Sequence, residues 1–326
     1  MMSTGKFVIS LDLELMWGVN DVITIDKYGM HIKGVHQVIP RLLQTFDHYG
    51  INATFSTVGL LFFETKEQIL KNLPTRIPRY NNKVLSPYSY IKTIGNDYLE
   101  DPYHFAPRLI ELIKQYPMQE IGSHTFSHYY CLEEGQTKED FRADMIQSQK
   151  VAADYGITIT SLVFPRNQSN EDYLQVCNEL GILCIRGNES SWLYEARSGQ
   201  KENLLRRGIR LADSFINISG HNCHSEETLK KKLPINVPAS RFLRPYSPLL
   251  KRLDYLRLNR IKQSMSHAAK NGLIYHLWWH PHNFGVNQDE NFSFLEKILL
   301  HFKQLEEQYS FESHTMTSAA KRILKL

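Results

Sequence analysis

Two rhythms of apolar and polar positions alternate along the chain, and the switches between them outline its elements. Phe7 to Leu15 (FVISLDLEL) has the period of two expected of a strand. Helical spacing takes over at 34–49 (GVHQVIPRLLQTFDHY) and Gly50 ends it, with Pro40 disturbing the first turn. INATFSTVG (51–59) is rich in strand formers. An irregular stretch follows to about 103, broken by Pro74, Pro78, Pro87 and Pro102. The pattern then predicts a helix over 105–116, a short strand at 120–124 and an amphipathic helix over 137–156. Thr137 and Asp140 have the spacing of a capping box, and Gly156 supplies the stop. A strand at 161–166, a helix at 170–181 and a strand at 182–187 come next. The segments 203–215 and 272–280 read as two further strands, and helices near 290–309 and 314–325 close the chain.

Strands alternating with helices imply parallel βαβ units. About seven strands, with no glycine-rich dinucleotide fingerprint after the first, favour a distorted (β/α) barrel over a doubly wound sheet. A barrel takes about 250 residues. One domain spanning 1–326 is therefore expected, with insertions near 60–103 and 225–270.

Composition narrows the classes. The chain is 42% hydrophobic and 22% charged, as ordinary globular proteins are. A net charge of +4 from 38 basic and 34 acidic residues is too mild to indicate nucleic acid. No apolar run is long enough for a spanning helix, and Met1–Lys6 lacks a secretory apolar region. Cys131, Cys177, Cys184 and Cys223 lack C-x-x-C spacing and read as reduced thiols, so a cytoplasmic protein is expected. Charge is uneven in one place: Lys230 to Lys262 contains ten Lys/Arg and one acid, Asp254. That stretch reads either as a solvated helical face beside a proline-rich loop or as a docking surface. The docked partner would be an anionic glycan, a nucleotide diphosphate or an anionic membrane.

Four short stretches carry candidate chemistry. Alternate strand residues share a face, so Asp12 and Glu14 point the same way as Val8 and Ser10, away from Leu11, Leu13 and Leu15. Two carboxylates at the carboxyl end of a barrel strand are costly unless paired or bound to metal. GSHTFSH places His124 and His128 four apart, running from a strand into a loop. Two imidazoles and a carboxylate, here Glu14, form a common metal set with open positions. WWHPHNFG (278–285) sets His280 or His282 at a strand-end turn, suited to protonating a leaving group. FPRNQ (164–168) puts Arg166 where a guanidinium would hold a carboxylate charged. Together these describe metal-assisted hydrolysis of an amide or ester, with Asp12 as base, Glu14 as ligand and His280 as acid.

In this order, FVISLDLE, INATFSTVG, GSHTFSH, FPRNQ and WWHPH resemble the polysaccharide deacetylase (NodB-homology) family, in the branch with an acid-x-acid first motif. The resemblance implies a distorted seven-stranded barrel that removes N- or O-acetyl groups from sugars with a divalent metal, most often zinc. His124 and His128 match the family's ligand motif, and Glu14 and Asp12 take the ligand and base positions. The reordered arginine motif gives Arg166 as the partner of Asp12, and His280 matches the late histidine. Trp279, His282 and Asn167 complete the set as substrate-binding residues, with Trp192 and Trp278 as further aromatic platforms. A cytoplasmic member is expected to act on a nucleotide-linked or lipid-linked saccharide, with the 230–262 stretch available for peripheral membrane contact. Two rivals stand beside this reading: an amidase of the same fold acting on a small non-sugar amide, and a saccharide-binding barrel without turnover.

Overall fold

The computed structural model describes residues 4–169, 171–194, 204–229 and 232–326. Its strands are β1 (Lys6–Leu13), β2 (Ala53–Thr57), β3 (Gln119–Ser123), β4 (Ser161–Val163), β5 (Cys184–Arg186), β6 (Ile235–Asn236), β7 (Arg241–Phe242), β8 (Ile274–Trp279) and β9 (Glu312–His314). Between them lie α1 (Ile25–Tyr49), α2 (Lys66–Lys71), α3 (Pro87–Tyr90), α4 (Pro107–Lys114), α5 (Lys138–Asp154), α6 (Glu171–Glu179), α7 (Leu204–Asp213), α8 (Asp254–Asn271), α9 (Gln288–Tyr309) and α10 (Met316–Leu324). The strands form one parallel sheet in the order β6-β5-β4-β3-β2-β1-β8-β7, with β9 also paired to β1. Surrounding helices complete a distorted (β/α) half-barrel whose end strands, β6 and β7, do not pair with each other.

Strand alternation divides the core. Phe7, Ile9, Leu11 and Leu13 of β1 join the large cluster between sheet and helices, with Tyr275, Leu277 and Trp279 of β8. Helix α1 buries Ile32, Val35, Val38, Ile39, Leu42, Leu43 and Phe46 at three-to-four spacing against it. The opposite parity faces the barrel interior: Val8, Val163, Cys184, Ile235 and Ile274 form a second cluster, closed by Met316, Ala319, Ala320 and Ile323 of α10. Each fully buried Val, Ile or Leu side chain contributes about 1.5–3 kcal/mol.

Most predicted elements lie within a few residues of their expected positions, and Thr137 and Asp140 form the reciprocal cap. Helix α1 begins nine residues earlier than its pattern suggested and accommodates Pro40 internally. Segment 203–215 is the clear correction: Leu204–Asp213 within it forms α7, not a strand. Its buried positions, Arg206 and Asp213, and its half-buried Ile209 and Ala212 follow a helical period with polar members, which hid the face. The 225–270 stretch holds β6, β7 and α8, so it builds the sheet instead of interrupting it.

Nor is 230–262 one basic face. Arg241 is buried against Asp213, and buried Arg260 donates to Ser264 Oγ at 2.7 Å. Arg257 is buried too, donating to the carbonyls of Arg244 and Pro245 and pairing with Asp254. Lys230 and Lys231 lie outside the described residues.

Candidate active site

The interior face of β1 changes chemistry toward its carboxyl end. Val8 is in the apolar cluster, Ser10 and Asp12 follow, and Glu14 stands one residue beyond the strand. Neighbouring strands end at the same level, so their inward residues converge there.

Glu14, His124 and His128 offer ligand atoms that all lie within 4.8 Å of one another, and all three residues are buried. Glu14 Oε2 is 3.3 Å from His124 Nε2 and 3.1 Å from His128 Nε2. His124 Nδ1 donates to the Val163 carbonyl at 2.8 Å, which leaves Nε2 with its lone pair toward the site. His128 Nδ1 lies 3.1 Å from the Tyr130 hydroxyl. This donor set fits a divalent metal: two imidazole nitrogens oriented by their other ring nitrogens, and a carboxylate with no lysine or arginine partner among the described residues. Burial raises the Glu14 carboxyl, but His280, His124 and His128 more than reverse this and hold it well below the usual range. Burial pushes the His128 imidazole down, opposed by Glu14.

Local strain supports this arrangement. Leu15, Thr125, His128, Arg166 and Asn167 all have positive φ, in loops leaving β1, β3 and β4. Such residues cost about 1–3 kcal/mol each and persist only where the surroundings fix them. Here the fixing is visible. Thr125 Oγ1 donates to the His124 carbonyl and accepts from Tyr129 N–H, while Asp144 accepts from Phe126 N–H at 2.7 Å and from the Ser127 hydroxyl. Asp144 is fully buried, and burial lifts its carboxyl to about 7 against those hydrogen bonds. A Cβ at Gly18 would fall 2.0–2.4 Å from the Glu14 carboxyl atoms, so only glycine leaves room for that side chain.

Asp12 is held by Arg186, not by Arg166. The Arg186 guanidinium meets Asp12 in a fork, 2.7 Å on each arm, and also donates to Ser10 Oγ at 2.9 Å and Asn167 Oδ1 at 3.0 Å. It lies 4.1 Å over the Trp278 ring. Burial raises the Asp12 carboxyl, and Arg186, His124 and His280 outweigh it, leaving the group below its ordinary value. Behind them His276 Nδ1 donates to the Val237 carbonyl. Its Nε2 therefore accepts from Ser10, whose oxygen stays turned to Arg186. Arg166 pairs with Asp21 and lies over the Tyr130 ring at 4.3 Å, one residue removed from His128. A guanidinium at the end of β5, on the same face as Cys184, was available as a signal in ILCIRG. The proline-arginine motif drew attention to Arg166 instead.

His280 Nε2 is 3.7 Å from Asp12 Oδ2 and 3.6 Å from Glu14 Oε1, with its side chain 24% exposed. His282 is buried, stacks on His280 at 4.9 Å and reaches Glu14 Oε1 at 3.9 Å. Burial, then His280, drive its imidazole down to about 3. Trp279, expected at the substrate, is fully buried against Phe46 and Phe284 on the outer face. Strand parity gives the interior to Trp278, which packs on Phe242 at 4.8 Å and His280 at 5.6 Å and donates to Glu189 at 3.4 Å. Trp192 lies in the connection after β5, exposed and away from these contacts.

A parallel half-barrel with a buried carboxylate, a carboxylate–dihistidine cluster and a solvent-facing histidine at its carboxyl end has the architecture of a hydrolase. Residues 22–185, half of the chain, match the polysaccharide deacetylase family. The chain belongs to that family, hydrolases of carbon–nitrogen bonds other than peptide bonds. The match begins after Asp12 and Glu14 and ends before Arg186 and His280.

No curated protein matches the chain in sequence. Among solved structures, a Mycobacterium smegmatis protein assigned as a polysaccharide deacetylase superposes with a TM-score of 0.62 at 12% identity, covering 100% of this chain and 92% of its own. A Pseudomonas aeruginosa PAO1 protein assigned to the same class gives 0.55 at 9% identity, with coverages of 98% and 90%. The 4-alpha-glucanotransferase of Thermococcus litoralis gives 0.51 at 12% identity, covering 99% of this chain and 40% of that enzyme. At these identities the likeness is one of fold.

Proposed function

We propose that the protein is a metal-dependent deacetylase that hydrolyses an acetyl group, N-acetyl in the first instance, from a saccharide intermediate. The observation that carries this reading is the cluster of Glu14, His124 and His128 donors, beside an Asp12 carboxylate clamped by Arg186. Glu14, His124 and His128 would hold the metal, zinc by the chemistry of the set. When bound, such a metal polarises the acyl carbonyl and makes water more acidic. Asp12 takes the proton from the attacking water. Arg186 keeps Asp12 ionised and fixes the direction of its oxygens. His280, the exposed member of the set, gives a proton to the departing amine. Trp278 and Phe242 form an aromatic wall beside His280, suited to the face of a sugar ring. Arg186 supplies the cation beside Asp12 that Arg166 was expected to supply, which argues against a barrel without turnover.

The substrate in this reading is a nucleotide-linked or lipid-linked saccharide, handled in the cytoplasm. All four cysteines are free, three of them buried, as in a reducing compartment. The test pairs two variants of the full chain, read by metal content and acetate release. Asp12→Asn is expected to retain metal and lose turnover by about 10²–10⁴-fold, whereas His124→Ala loses the metal. Metal loss in both, or turnover in Asp12→Asn at the wild-type rate, would overturn the assignment of roles.

A further inference from the structure

Two connections that leave the carboxyl end of the sheet carry protruding apolar side chains among cations. After β5, Trp192 is 65% exposed, and Leu205 in the first turn of α7 is 70% exposed. After β7, Leu249 is 92% exposed, the most open large apolar side chain among the described residues, and Tyr255 at the start of α8 is 63% exposed. Arg207, Lys251 and Arg252 are exposed in the same segments. Among the described residues the acids there are not: Glu189 and Asp213 are buried, and Asp254 is paired to Arg257.

The two segments are neighbours in space although β5 and β7 do not pair: Arg241 of β7 donates to the Asp213 carbonyl at the end of α7 and pairs with its carboxylate. Arg206 bonds the Trp192 carbonyl and ties α7 to the connection before it. Arg257 then bonds the Arg244 and Pro245 carbonyls and fixes the start of α8 to the loop after β7. Both segments follow strands whose last residues, Arg186 and Phe242, belong to the site.

We infer that this rim, between the carboxyl ends of β5 and β7, docks on an anionic bilayer surface. Separate Trp, Leu and Tyr side chains standing out of the surface fit a soft acyl boundary, with cations at headgroup level around them. An acidic protein partner would be met by cations without needing Leu249 to project so far. No helix among the described residues is long and apolar enough to cross a membrane, so the contact is peripheral. Docking in this orientation turns the mouth of the barrel toward the lipid. That deepens the proposed function by selecting a lipid-linked saccharide, and to this extent it rests on that reading.

The test uses the full chain with sedimenting vesicles of phosphatidylcholine, with and without phosphatidylglycerol. Melting temperature and acetate release from a short soluble N-acetylated oligosaccharide are followed in parallel. The protein is expected on the anionic vesicles. Leu249→Asp and the pair Lys251→Glu, Arg252→Glu are each expected to weaken binding by about tenfold or more. Melting and soluble turnover should stay unchanged, because these residues touch no site residue. Absence from anionic vesicles would overturn the inference. So would Leu249→Asp binding as wild type does, which would assign the attraction to charge alone. A chain that binds vesicles but releases no acetate keeps the docking surface and sinks the deacetylase reading.

Discussion

The two ends of the barrel interior are built on the same strands and the same face, yet they share almost no chemistry. At the amino end Val8, Val163, Cys184, Ile235 and Ile274 pack dry beneath α10. One or two turns of the pleat further on, Ser10, Asp12, His124, Arg186 and His276 are equally buried and all polar. The first end stabilises by removing apolar surface from water. The second costs desolvation, which is offset only because nearly every polar group meets a partner: Asp12 with Arg186, His276 between Val237 and Ser10, the Thr125 loop against Asp144. Packing at one end thus supports a network at the other that could not fold by itself.

Breaking the polar end should change chemistry and leave the fold. Arg186→Met removes the clamp, leaving burial to raise the Asp12 carboxyl. Acetate release at neutral pH should fall by about 10²-fold or more, and the acid limb of the rate profile should move up. Metal content measured alongside should be unchanged. The apolar end should answer in the opposite way: Ile274→Ala should cost about 2–5 kcal/mol in denaturant unfolding with metal affinity intact.

Gly18→Ala tests the polar end at Glu14 by driving a methyl into its carboxyl. A loss of metal affinity of about tenfold by competition titration is expected, with little change in stability of the metal-free protein.

The smallest effect sharpens the comparison through pH. His276 is held neutral by burial, then Arg186, at about 3, well under its unfolded value. Between pH 6.5 and 3 the unfolded chain therefore binds the extra proton. Stability is full above that window and falls within it by about 1.4 kcal/mol per pH unit. His276→Asn should flatten that slope in unfolding curves taken from pH 7 to 5.

How much of this was legible in the chain depends on whether a signal is local. FVISLDLEL declared both its strand and the shared face of Asp12 and Glu14, because alternation is a property of adjacent residues. GSHTFSH gave the two histidines for the same reason, and Thr137-x-x-Asp140 its cap. The same rule applied to IYHLWW would have given Trp278, with His276, to the interior and Trp279 to the core. Segment 203–215 misled because its buried face includes Arg206 and Asp213, so hydrophobicity does not trace the period. Strands β6, β7 and β9 are two or three residues long, too short for any pattern to register.

The sequence alone determined a parallel α/β barrel, residues that gather at its candidate site and the shared face of Asp12 and Glu14 on one strand. It could do so because strand and helix periods, caps and short motifs are set within a few residues of one another. Only the tertiary structure decided which arginine clamps Asp12, that Gly18 makes room for Glu14 and that Asp144 holds the loop carrying His124 and His128. It also decided that Arg241, Arg257 and Arg260 of the basic stretch lie buried while Lys251 and Arg252 stand exposed at the rim. Those choices join residues from separate strands, as Arg186 and Asp12 are joined across 174 positions. Such partnerships follow from register and packing, which a linear pattern does not encode.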